Sequence, residues 1–216
     1  MTGRDSRSSR SPYQVVLGEG LDGLHPRLRA YFAAIPHDHV GVGQGSWDRV
    51  GTPRRWLWPI LWLLAGEGVA FPVWRADVPF HVVNTPRSGQ QRPAVDARRT
   101  FHLPRRDRAM VDSITVVDGE LVDRLGRSRR YIARLCASVA DGALTLVSTE
   151  MRIRIGRRTL PVPRAVCPAV SLTERFDDEI GRQHVDVVLT MPAIGRIYEY
   201  SGYFDYRIVQ EEDNHG

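Results

Sequence analysis

The stretch Tyr131-Ile132-Ala133-Arg134-Leu135-Cys136-Ala137-Ser138-Val139-Ala140, then Asp141-Gly142, then Ala143-Leu144-Thr145-Leu146 running on to Ile155, decides the fold. Tyr131, Ala133, Leu135, Ala137 and Val139 recur at every second position, the period of a strand with one face buried. Asp-Gly between two such runs is the strongest short-range hairpin signal, because both turn positions need a positive φ. The apolar phase slips between Leu146 and Met151, which predicts a bulge near Val147.

The same pattern extends both ways. Upstream, Val95, Ala97, Phe101 and Leu103 share a face. Met110 to Val117 and Glu120 to Leu125 flank a second Asp-Gly pair, Asp118-Gly119. Downstream, Val170 to Phe176 leads into the turn Asp177-Asp178-Glu179. Val185, Val187 and Leu189 then alternate with His184, Asp186 and Val188. After a turn at Pro192 to Gly195, Tyr198, Tyr200, Phe204 and Tyr206 face one way, and Glu199, Ser201, Asp205 and Arg207 the other.

Ahead of this lie two segments with helical signals. Leu24, Leu28, Tyr31 and Phe32 fall on one helical face, Pro26 suits a first turn, and Pro36 ends the segment. Trp56 to Ala65 is the most apolar stretch, too short for a bilayer that needs about 20 residues. Pro59 fits the first turn of a helix there. A helix apolar all round reads as a plug or lid on a sheet, carried by Trp56, Trp58 and Trp62. Beside Arg54 and Arg55 the other reading is an interfacial membrane anchor.

The expected fold is therefore mainly β. An antiparallel meander of about 8–10 strands would curl into a lipocalin-like barrel or half-barrel, with two N-terminal helices packing on it or plugging it. One domain is expected over residues 12–209, between tails at 1–11 and 210–216. Met1 to Ser11 has no apolar core for a secretory signal, and a cytoplasmic location is expected.

Of 216 residues, 42% are hydrophobic and 25% charged, which excludes disorder, a collagenous repeat and a polytopic membrane protein. The net charge of +5 raises the question of a polyanionic partner. All 30 basic residues are Arg and none is Lys, which reads as composition rather than phosphate contact, so nucleic acid is not an expected partner. Cys136 and Cys167 form no C-x-x-C pair.

Few motifs carry chemistry. His37-Asp38-His39 would need a third ligand from His81, His102 or His184, and the segment reads as a loop. No metal or cofactor is expected. Gly41-Val42-Gly43-Gln44-Gly45 lacks dinucleotide spacing and reads as a strand approached closely by backbone. His184 and Asp186 share a strand face and are the speculative acid/base pair, although Val185, Val187 and Leu189 make the better core face. Trp47, Trp74, Tyr131, Tyr198, Tyr200 and Tyr206 are the expected lining of a pocket for a small hydrophobic molecule, weighed against a plain packed core. Arg152, Arg154, Arg157, Arg158 and Arg164 form a run that reads as a solvated face or a contact for an anionic surface.

Three stretches carry a resemblance to a known family. Leu17-Gly18-Glu19 through Leu24-His25-Pro26-Arg27-Leu28-Arg29 resembles an L-H-P-x-L-R start. Leu121-Val122-Asp123-Arg124-Leu125-Gly126 resembles an L-V-x-R-F-G segment. Leu160 to Ala165, His184 to Val187 and Pro192 to Gly202 are similar to a closing block. The family is the bacterial DUF4166 domain proteins, over roughly residues 13 to 206. Its members stand alone or fused behind reductase-type domains, so the resemblance implies a small metabolite as the expected partner and transfers no catalytic residue. The expected function is small-molecule binding in a biosynthetic setting. The alternatives are a cofactor-independent cyclase or isomerase in the same cavity, and peripheral contact with an anionic membrane or nucleic acid.

Overall fold

A computed structural model describes residues 10–87 and 92–211. The chain opens with α1 (Pro12–Leu17), a 3-10 turn and α2 (Pro26–Phe32), then enters β1 (His39–Gly51). After α3 (Trp58–Glu67) come β2 (Trp74–Arg75), β3 (Val78–Pro86), β4 (Ala94–Phe101), β5 (Arg108–Val117) and β6 (Glu120–Leu125). The remaining strands are β7 (Tyr131–Ala140), β8 (Ala143–Ile155), β9 (Arg158–Pro161), β10 (Ala169–Asp177), β11 (Arg182–Met191) and β12 (Gly195–Gln210).

Ten of these strands close into an antiparallel barrel in the order β1–β3–β4–β5–β6–β7–β8–β10–β11–β12, with β12 pairing back to β1. β2 extends β1 and β9 extends β8. The β8–β10 seam is short, running from Ser171 opposite Val147 to Glu174 opposite Leu144. Closure removes the free edges that a long sheet would otherwise expose.

The hairpin reading holds at both Asp-Gly pairs. Asp118, Gly119, Asp141 and Gly142 all have positive φ, the turn geometry that matches the twist of the flanking strands. The bulge lies two residues beyond the expected place. Leu135 pairs with Ser148 and Arg134 with Glu150, so Thr149 is the extra residue. The Gly-rich run is the start of β1.

Two departures concern the N-terminus. Tyr13 to Leu17 is a helix, so three short α-helices are present rather than two. Ser11, assigned by its composition to a tail, is a buried N-cap. Its hydroxyl accepts from the Gln14 amide at 3.1 Å and donates to the Phe32 carbonyl at 2.5 Å, while the Gln14 side chain accepts from the Ser11 amide at 2.8 Å. This reciprocal cap was hidden because Ser11 sits in a Ser/Arg-rich run. At the other end, β12 continues through Gln210. The remaining expected tail residues, 1–9 and 212–216, lie outside the described residues.

The helices fill the barrel from opposite ends. Leu24, Leu28 and Phe32 pack against Leu121, Ala133, Leu135, Leu144 and Leu146. The His25 amide donates to the Gly142 carbonyl at 2.9 Å, tying α2 to the β7–β8 turn, and the His25 ring stacks on Phe176 at 4.6 Å. At the far end, Leu57, Leu61 and Ala65 join a cluster with Trp47, Phe71, Phe80 and Phe101. No helix among the described residues is long and apolar enough to cross a membrane.

The inward face of β1 presents Gly41, Gly43 and Gly45, and there the barrel's contents meet bare backbone. A Cβ on Gly45 would lie 2.0 Å from the Tyr203 carbonyl oxygen. A Cβ on Gly41 would lie 1.5 Å from the Tyr206 hydroxyl. Gly45→Ala should therefore lower stability by about 2 kcal/mol or more. Gly20→Ala, which meets open space, should stay within about 0.5 kcal/mol of wild type. Thermal denaturation of the two variants checks this; equal midpoints would contradict the seating of β1 on β12.

Candidate functional site

Four charged side chains occupy inward positions of the wall. On β4, Arg99 shares the face of Ala97 and Phe101. On β5, Asp112 lies between Met110 and Ile114. On β6, Asp123 lies between Leu121 and Leu125, and on β10, Glu174 lies between Leu172 and Phe176. The ladder brings the first three together, because Ala97 pairs with Asp112 and Ile114 with Asp123.

Arg99 forms an ion pair with Asp112. Their side chains are 21% and 5% exposed, so the pair is held largely out of water. Burial is the largest single effect on Arg99 and opposes its charge, but Asp112, Tyr200, Tyr31 and Asp123 together outweigh it and raise the guanidinium well above its usual value. Burial pushes Asp112 up and Arg99 pulls it back. Asp123 is pushed well above the carboxylate range by burial and by Asp112. One oxygen of the Asp123 carboxyl is buried without a hydrogen-bond partner among the described residues. Such an atom is uncommon in a folded interior and calls for a ligand, a water or a proton.

Glu174 is 7% exposed and accepts from the Gln183 side-chain amide at 2.5 Å. Burial raises its pKa to about 7 against the opposing effects of Gln183 and Arg99. Tyr13 and Tyr31 are raised well above the usual phenol value, by burial first and then by Glu174. Burial lifts Tyr200 and Tyr206 to about 12, so all four phenols stay neutral. A cavity of about 30 Å³, room for one or two waters, lies beside the pair under α1 and α2. Its lining includes Ser11, Tyr13, Tyr31, Asn84, Arg99 and Asp112.

The residues singled out from the sequence are scattered. Trp47 is 1% exposed and stacks on Phe80 at a centroid distance of 3.7 Å, with Tyr200 edge-on at 4.9 Å. This layer is filled by its own rings. Tyr198 accepts from the Phe71 amide at 3.3 Å in the same layer. Tyr206 meets Tyr31 edge-on at 4.5 Å, nearer the charged cluster. Tyr131 is half-buried where β7 begins, opposite Leu125. Trp74 lies on β2 under the Arg49 guanidinium at 5.1 Å, apart from the interior rings.

His184 and Asp186 alternate with the buried Val185 and Val187 and so point away from the chamber. The His184 ring packs on Tyr203 at 4.6 Å, and burial followed by Arg175 lowers its pKa. Trp56 and Trp62 are exposed and Trp58 is half-buried. The Trp-rich helix seats Leu57, Leu61 and Ala65 on the aromatic layer, and the segments that line the cavity are α1 and α2. His81 and His102 meet at 3.0 Å, with Asp107 3.0 Å from His102, far in sequence from His37 and His39. Among the described residues no group of three or more His, Cys, Asp or Glu side chains is arranged to hold a metal. On the outer wall, Arg87, Arg92, Arg124, Arg129 and Arg154 line an open groove of about 620 Å³.

A family model described as Domain of unknown function (DUF4166) matches residues 24–204. The chain belongs to the DUF4166 family. No curated protein and no solved structure matches it. The matched DUF4166 span holds Arg99, Asp112, Asp123 and Glu174, and it leaves out α1 with Ser11 and Tyr13.

The signal that points to the cluster was a charged residue on the apolar phase of four separate strands. In an ordinary barrel wall such positions are apolar unless function requires otherwise.

Glu174 generates a pH test. Its folded pKa of about 7 exceeds the ordinary 4.5, so its contribution is most favourable below 4.5 and is lost as pH rises to about 7. Glu174→Gln lacks this loss. The stability of the variant relative to wild type should rise by on the order of 3 kcal/mol across that window. Urea denaturation at a series of pH values reads it; parallel curves for the two proteins would contradict the burial of an ionisable Glu174.

Proposed function

We propose that the barrel binds a small amphipathic molecule with an amine or hydroxyl head, seated beneath α1 and α2. The head would meet Asp112, Asp123 and Glu174. The apolar body would lie among Tyr13, Tyr31 and Ile114. The observation that carries this reading is the composition of the chamber: three carboxyls around one guanidinium, with a buried Asp123 oxygen left unpartnered. An amine would let Asp123 and Glu174 ionise and pair, whereas a carboxylate head would add a fourth acid group to a desolvated site.

Room for such a molecule would come from α1. This helix has only six residues: Pro12 is buried, and Tyr13, Val16 and Leu17 rest half-buried on the core. It is held by Ser11 and Gln14 hydrogen bonds to the end of α2 and the loop beyond. Lifting it would join the small cavity to solvent without disturbing the aromatic layer around Trp47.

A second reading is favoured by the position of Glu174 near neutrality. A carboxyl that titrates near pH 7 in a dry chamber is matched to general acid–base work. The same barrel would then be a cofactor-independent isomerase or cyclase, with Glu174 moving the proton.

Octylamine, octanol and octanoate share one tail and differ in the head. Thermal-shift titration should show stabilisation by octylamine and octanol but not by octanoate. The double variant Asp123→Asn/Glu174→Gln should abolish the preference for the amine. Equal shifts for all three, or none, would overturn the binding reading.

A further inference from the structure

The outer face of α3 presents an unusual surface. Trp56 is 60% exposed, Ile60 55%, Trp62 55% and Leu63 75%, and Pro59 and Gly66 complete the stripe. The opposite side of the helix, Leu57, Leu61 and Ala65, is spent on the barrel core. Exposed apolar residues are common singly, but several contiguous large ones on one helix mark an interaction site. At the same end of the barrel, the β8–β9 hairpin and the turn after it expose Ile155, Leu160 and Val166.

The charge around this stripe is predominantly positive. Arg54 and Arg55 precede α3, with the Arg55 guanidinium 5.8 Å from the Trp58 ring. The Arg108 guanidinium lies 5.5 Å over Trp62, and Arg106 depresses the Arg108 pKa after burial does. Arg127 donates to the Gly66 carbonyl at 3.3 Å. The nearby acids are engaged: Glu67 with Ser128 and Arg130, and Asp107 with His102.

We propose that α3 is a peripheral docking helix for an anionic lipid bilayer. Trp56, Ile60, Trp62 and Leu63 enter the headgroup and upper acyl region, and the surrounding arginines pair with lipid phosphates. An amphipathic surface helix binds by buried apolar area plus attraction to anionic lipid. Trp suits the interface because its ring is apolar and its N–H is polar. The arginines also argue against the competing occupants. A two-fold contact through α3 would set Arg54, Arg55 and Arg108 near their own copies, and like charges across a contact are costly. Aliphatic Pro59, Ile60 and Leu63 share the stripe with the two tryptophans, so it lacks the succession of stacking faces and polar groups that a nucleic acid requires.

The test uses the full-length protein and sedimentation with vesicles of phosphatidylcholine alone or with 30% phosphatidylglycerol added. Binding is expected to the anionic vesicles, with weakening as salt rises. Trp62→Ala/Leu63→Ala and the independent Ile60→Gln/Leu63→Gln should each reduce partitioning at least tenfold. Both remove exposed groups and should leave the thermal midpoint in place. Brominated lipid should quench wild-type tryptophan fluorescence and quench it less after Trp62→Ala. Arg92→Ala/Arg124→Ala, in the outer-wall groove, should leave partitioning unchanged. Absence of vesicle binding would overturn the proposal. So would binding that survives the α3 variants but is lost with the groove variant. Concentration-dependent dimers or RNA binding abolished by the α3 variants, without vesicle binding, would assign the face to a second copy or to nucleic acid instead.

Discussion

A closed wall of ten strands surrounds more space than its inward side chains fill. An eight-stranded barrel is already just wide enough to be packed by its own residues. This chain meets the excess volume in three layers. One end takes α2, whose Leu28 and Phe32 are almost fully buried. The other takes the stack of Trp47, Phe80 and Phe101 closed by α3. Between them, the wall turns charged groups inward. The three bare glycines of β1 belong to the same solution, since they give Tyr206 and Phe204 space against the backbone.

The middle layer is the expensive one. A buried ion pair is seldom a net source of stability, because desolvating two charges costs as much as their attraction returns. Here Arg99–Asp112 is accompanied by two further carboxyls that burial pushes toward the protonated state. Apolar side chains of similar size at Asp123 and Glu174 would pack more favourably. Carrying acids there is what a chamber built for a polar head or for proton transfer requires, and groups with strongly shifted pKa values concentrate at such sites. The Trp-rich helix sits at the opposite end, so its exposed face and the chamber are separate features of one molecule.

The wall was legible because half-buried strands write their period directly into the sequence. The two Asp-Gly turns fell where the alternation placed them, since few other pairs accept positive φ at both positions. Short pieces with little contrast were not legible. β9 has four residues, and Pro79 and Pro86 interrupt the apolar reading of β3. α1 is six residues long and is specified by its cap and its packing rather than by periodicity. The chamber is less legible for a related reason. Arg99 lies between Ala97 and Phe101, and the period of an inward face shows in its apolar members, not in a single charged one. Of the aromatic residues, Trp47 and Tyr198 are buried while Trp74 lies exposed on β2, and the interior rings pack on one another and leave no room for a guest.

The account rests on carboxyls that hold protons at neutral pH inside the barrel. Carbon-13 NMR of the side-chain carboxyls, titrated across pH with Glu174→Gln and Asp123→Asn for assignment, reads this directly. The account predicts a Glu174 midpoint at about 7 and an Asp123 midpoint well above the ordinary aspartate range. Both groups titrating near pH 4, as solvated carboxylates do, would contradict it.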